Sequence, residues 1–171
     1  MRITRRSSSI VRLSLATVAA AIALAACTDA SSDNGGLPTG AGEGLYPSIS
    51  VATSKGTAQV DLGLRQVPGG VRFASYQGEV TFDPQVLTFQ SADLPEGVDG
   101  AAHQSAPGHI RFSGAALDGT VGAPVLRMRF ATRGAVTRQS FTVTFEEVTS
   151  DGDFADLTAQ VKTGAVLYQA R

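Results

Sequence analysis

Residues 77–89 read QGEVTFDPQVLTF. Starting one residue earlier, Tyr76, Gly78, Val80 and Phe82 alternate with Gln77, Glu79 and Thr81. A two-residue period built from aromatic and β-branched side chains marks a strand with one face buried and one in water. Asp83-Pro84 then predicts a turn, since Pro presets φ and Asp can accept from its own backbone two residues on. Val86, Leu87 and Phe89 carry apolar side chains into the next segment. The chain therefore leaves the core at Phe82, turns, and re-enters it within a few residues.

The same texture extends in both directions. Val60, Leu62 and Leu64 alternate with polar or small residues, as do Ile110 with Phe112, Leu126 with Met128 and Phe130, and Phe141 with Val143 and Phe145. Turn signals separate these runs at Pro68-Gly69-Gly70, Pro95-Glu96-Gly97, Pro107-Gly108, Asp118-Gly119 and Asp151-Gly152-Asp153. Val71 and Phe73 are out of phase with Tyr76 to Phe82, which predicts a bulge or bend near Ala74-Ser75. No long window after Leu45 carries a helical stripe. Short strands with one polar face each predict an all-β domain of two antiparallel sheets packed face to face.

The N-terminal segment has a different character. Arg2, Arg5, Arg6 and Arg12 precede the apolar run LSLATVAAAIALAA, residues 13–26. A basic head and a short apolar run are the layout of an export signal, and the run is too short to span a bilayer comfortably. It ends in Leu24-Ala25-Ala26-Cys27, which resembles a bacterial lipobox. That resemblance implies lipidation of Cys27, cleavage before it, and a domain held outside the cytoplasm on the cell membrane or the outer membrane. Residues 1–27 are accordingly read as the lipoprotein signal with its lipobox cysteine.

Residues 28–44, TDASSDNGGLPTGAGEG, hold almost nothing to bury and are expected to be a flexible linker. Residues 45–171 are expected to form one β-sandwich domain. Residues 1–26 contain four of the 14 basic residues and none of the 15 acidic ones, so the chain net charge of −1 becomes −5 after cleavage. An acidic exported chain is not expected to bind nucleic acid. A single Cys excludes an intramolecular disulfide and a Cys-rich zinc site.

The run from Gln77 to Phe89, a strand into aromatic-Asp-Pro-x-x-Leu, resembles the cohesin modules of bacterial cellulosome scaffolds. Further stretches match in order. Ile49-Ser50-Val51, Gly56 and Val60 to Leu64 resemble the family's first strands. Gly108 to Ala115 followed by Val125 to Phe130 resembles its central hairpin. Phe145 to Val148, Phe154 to Leu157 and Gly164 to Leu167 resemble its closing strands. The resemblance covers nearly all of residues 45–171. It implies a nine-stranded jelly-roll sandwich with a non-catalytic role, that of holding a dockerin-bearing protein, usually within polysaccharide breakdown. Family positions that often carry Asn and Asp toward the dockerin are Ser75 and Gln77 here.

Ser75, Gln77 and Glu79 are expected to form one exposed row, and Arg111, Arg127 and Arg129 a second that would steer an acidic partner; either row also fits a solvated sheet face. His103 and His109 flank Pro107-Gly108 and read as polar loop residues. Glu146 and Glu147, adjacent on a strand, are expected to point to opposite faces. Asp151, Asp153 and Asp156 in DGDFAD are a weak candidate for structural calcium, a solvated turn being the plainer reading. No cofactor is expected. The sequence lacks Gly-x-Ser-x-Gly and a phosphate-cradling loop, so an enzyme is not expected. Two alternatives stay open: a carbohydrate-binding module, disfavoured by zero Trp and three dispersed Tyr, and a structural cell-envelope lipoprotein.

Overall fold

A computed structural model describes Leu37, residues 40–67, Gly70, and residues 72–120, 124–164 and 166–171. Cys27, the rest of residues 1–27 expected to form an export signal, and most of residues 28–44 expected to form a linker lie outside the described residues. The described strands are β1 (Gly44–Ser54), β2 (Thr57–Val67), β3 (Phe73–Phe82), β4 (Leu87–Asp93), β5 (Asp99–Ala106), β6 (His109–Thr120), β7 (Pro124–Thr132), β8 (Phe141–Ser150) and β9 (Leu167–Ala170). They form a five-stranded sheet in the order β4-β7-β2-β1-β9 and a four-stranded sheet in the order β5-β6-β3-β8. Only β1–β2 and β5–β6 connect neighbours within one sheet, and every other connection crosses between sheets. This is a jelly-roll sandwich, and its nine strands match the expected number.

The stretch 77–89 makes one of those crossings. Asp83 accepts from the Gln85 N–H at 2.8 Å through its carboxylate and from the Leu87 N–H at 2.9 Å through its carbonyl. Phe82 therefore faces the core from one sheet and Leu87 from the other, both buried. Phe130 of β7 has no exposed surface. Its ring meets Phe82 at 5.1 Å, Phe141 at 5.8 Å and Phe89 at 5.9 Å, edge to face. Edge-to-face geometry sets the positive ring edge against the negative face and adds to the burial term. One ring thus joins β3, β4, β7 and β8.

In the four-stranded sheet, Tyr76 of β3 lies opposite Gly114 of β6, and Gly78 lies opposite Phe112. Each aromatic ring occupies the space over the facing glycine. A Cβ on Gly114 would stand 2.6 Å from the Tyr76 ring, and one on Gly78 would stand 2.9 Å from Phe112 and closer still to the Thr144 carbonyl. These glycines serve close packing, not a turn.

The expected irregularity near Ala74-Ser75 is present as a register shift between Phe73 and Ser75. Two details differ from the sequence reading. β1 and β9 pair in parallel, so the sandwich is not wholly antiparallel. The expected central hairpin also does not form: β6 is flanked by β3 and β5, which leaves no free edge for β7, and β7 lies in the other sheet.

Candidate functional site

The outer face of the four-stranded sheet collects polar side chains from all of its strands. On β3 the expected row of Ser75, Gln77 and Glu79 does face outward, alternating with buried Tyr76 and Val80. Across it lie His109, Arg111, Ser113 and Ala115 of β6. On the other side lie Thr142, Thr144, Glu147 and Thr149 of β8. Glu79 meets His109 Nδ1 at 3.0 Å, Ser75 and Thr149 share a hydroxyl hydrogen bond of 2.7 Å, and Arg111 pairs with Glu146.

Glu146 and Glu147 correct the sequence reading. The register slips between Gln77 and Gly78, so that Gln77 faces Glu147 while Gly78 faces Phe145. Glu146 is the extra residue of a bulge, and both carboxylates are exposed between buried Phe145 and Val148. The histidines are also strand residues rather than loop residues: His103 is in β5 opposite Arg111, and His109 opens β6.

A shallow depression of about 240 Å³ interrupts this face, lined by Ser75, Tyr76, Gln77, Asp99, Ser113, Gly114, Ala115 and Glu147. Small residues on β6 create it. Asp99 approaches from β5 and Glu147 from β8, on the two edge strands. The sequence reading missed Asp99, whose place depends on the β5–β6 register.

Tyr76 ties this face to the core. Its hydroxyl donates to the Val125 carbonyl in the opposite sheet at 2.7 Å, and burial pushes its pKa from 10.0 up to about 12. An unfolded chain loses this proton near its ordinary pKa, while the fold retains it. The contribution is complete below pH 10 and is lost as pH rises toward about 12. Phenolate absorbance should show one tyrosine titrating late, and only on alkaline unfolding. Tyr76→Phe should abolish that late step and cost about 1–3 kcal/mol, because the Val125 carbonyl loses its donor.

The arginine row is not a row. Arg111 lies on the face just described, whereas Arg127 and Arg129 of β7 lie on the outer face of the five-stranded sheet. Alternation in β6 and β7 turns all three outward, but the crossing between sheets sends them to opposite sides. Arg127 Nε donates to Asp61 at 2.9 Å, and Arg171 stands 3.9 Å from the same carboxylate.

The aspartates of DGDFAD have separate partners. Asp151 pairs with Arg72 at 3.3 Å. Asp153 accepts from the Ser150 hydroxyl and the Ala155 N–H, which hold its carboxyl below the usual range. The Thr158 side chain and N–H do the same for Asp156. Among the described residues no group of three His, Cys, Asp or Glu is placed to hold a metal. The same loop displays Phe154, 71% exposed with φ of +53°, which a reading of the loop for its carboxylates overlooks.

No protein-family model matches the chain, and no curated protein matches it in sequence. Solved structures do match in shape. A non-cellulosomal cohesin from the archaeon Archaeoglobus fulgidus superposes with a TM-score of 0.54 at 13% identity, covering 75% of this chain and 91% of that one. The cohesin module of a family 33 glycoside hydrolase from Clostridium perfringens gives 0.51 at 11% identity, with 76% and 100% covered. The sixth cohesin of Acetivibrio cellulolyticus scaffoldin B, solved with a Cel5 dockerin, gives 0.50 at 18% identity, with 74% and 99% covered. The domain has a cohesin-like fold.

Proposed function

We propose that the domain is a non-catalytic module that holds a protein partner on the outer face of its four-stranded sheet, and that Cys27 carries a lipid tethering it outside the cytoplasm. The observation that carries the binding reading is the polar face built by four strands, with Asp99 and Glu147 beside the depression that small residues of β6 leave in it. Such a face suits a partner offering basic and hydroxyl side chains. The likeness in fold to a cohesin solved with a dockerin makes dockerin-bearing proteins the first partners to test.

Retention on immobilised dockerins, and on surface proteins of the source cell, tests the reading. A saturable protein ligand is expected, and its affinity should fall about tenfold or more in the Asp99→Lys, Glu147→Lys double variant. No ligand in either set would overturn it. For the anchor, Cys27→Ser should move the protein from the membrane fraction to the soluble one; an unchanged membrane fraction would contradict lipidation.

Exposed Phe154 supplies the one specific observation for a carbohydrate-binding alternative, since a sugar ring can stack on it. Retardation in polysaccharide gels that Phe154→Ala abolishes would favour that reading and a direct role in polysaccharide breakdown.

A further inference from the structure

The two outer faces of the sandwich carry opposite charge. On the five-stranded side, Arg65, Arg127, Arg129 and Arg171 accompany Asp61 and Asp93 among the described residues. On the four-stranded side, Glu79, Glu146, Glu147 and Asp99 accompany Arg111 and the two histidines. The arginine side has a definite pattern. Asp93, Arg127, Asp61, Ser50 and Gln169 form one row across its five strands. Asp61, whose side chain is 14% exposed, serves both Arg127 and Arg171. Two residues along β7, exposed Arg129 sits between Gln59 and Ser91 and has no ion pair among the described residues.

We propose that this arginine face lies on the anionic headgroups of the membrane that carries the anchor, so that the four-stranded face points away toward its partner. The inference rests on the lipid-anchor reading. Two further observations support it. The linker runs directly into β1, a strand of the five-stranded sheet. If residues 28–43 form the flexible coil that their sequence predicts, they reach only roughly 20–25 Å, and the domain stays at high effective concentration beside the surface. Anionic lipid then draws in the arginine side and repels the carboxylate side, so both forces turn the domain the same way. At physiological salt these forces act within about 8 Å, a range the tether lets the face reach.

The test uses the lipidated chain in vesicles, with a fluorophore on an introduced cysteine and a quencher on the lipid headgroups. Thr88→Cys reports from the arginine face and Thr144→Cys from the carboxylate face. In phosphatidylcholine–phosphatidylglycerol vesicles, quenching should be several-fold greater at position 88 than at position 144. Pure phosphatidylcholine, high salt or Arg129→Glu should each remove the difference. Equal quenching at both positions, stronger quenching at 144, or a difference indifferent to lipid charge would overturn the proposal. Mass spectrometry of Cys27 separates this outcome from failure of the anchor. If that thiol is free, an N-terminal hexahistidine tag on the Cys27→Ser chain, held by nickel-chelating lipid, supplies the tether. The same two labels then decide the orientation.

Discussion

Gly78→Ala is expected to destabilise the domain by about 3 kcal/mol or more, a large part of the 5–15 kcal/mol typical of a small domain. A single added methyl has this effect because of what surrounds it. Gly78 lies in the middle of β3, with β6 on one side and β8 on the other. Its new Cβ would meet Phe112 at 2.9 Å and the Thr144 carbonyl nearer still, and the carbonyl belongs to backbone. Phe112 cannot simply yield, because its ring packs against Phe145 at 5.4 Å and lies 6.2 Å from Tyr76. Relief requires β3 and β8 to separate, which also disturbs the bulge that displays Glu146 and Glu147. Urea denaturation checks the size of the effect. Gly134→Ala is the control: its Cβ meets only Val86, at 3.8 Å, and a change within about 0.5 kcal/mol is expected there.

Phe130→Ala should cost about 4 kcal/mol. The ring is fully buried and meets three other aromatic rings, two of them from the opposite sheet. Truncation leaves a cavity at the junction of both layers, and the backbone of β7, held between β2 and β4, cannot collapse to fill it. Phe130→Leu keeps most of the volume and should lose far less. A loss below about 1 kcal/mol for the alanine variant would mean that the sheets do not meet through this ring.

The strand pattern is legible in the sequence because most strands here are half-buried, and a half-buried strand writes its period into the residues. Phe82-Asp83-Pro84 is legible for a related reason: the turn chemistry is local. The sheet to which each strand belongs is not local. Arg111, Arg127 and Arg129 all alternate outward, yet nothing in their spacing says that the chain changes sheets between β6 and β7. The Glu146–Glu147 bulge does leave a trace, since Val148 is out of phase with Phe141, Val143 and Phe145. That phase slip resembles the one that reveals the irregularity at Ala74-Ser75. Tyr76-x-Gly78 and Phe112-x-Gly114 repeat one spacing on two strands. Only the antiparallel register shows that each ring covers the other strand's glycine. The candidate face is half legible: the β3 row stands out by alternation, while Asp99 and Glu147 depend on the register of the edge strands.

The most direct test of the proposed binding face is an amide NMR titration of the folded domain with a captured protein partner. Shifts concentrated at Gln77, Asp99, Ser113 and Glu147, with Gln59 and Arg129 unmoved, are the expected result. Shifts concentrated at Gln59 and Arg129, with the four-stranded face silent, would contradict the assignment.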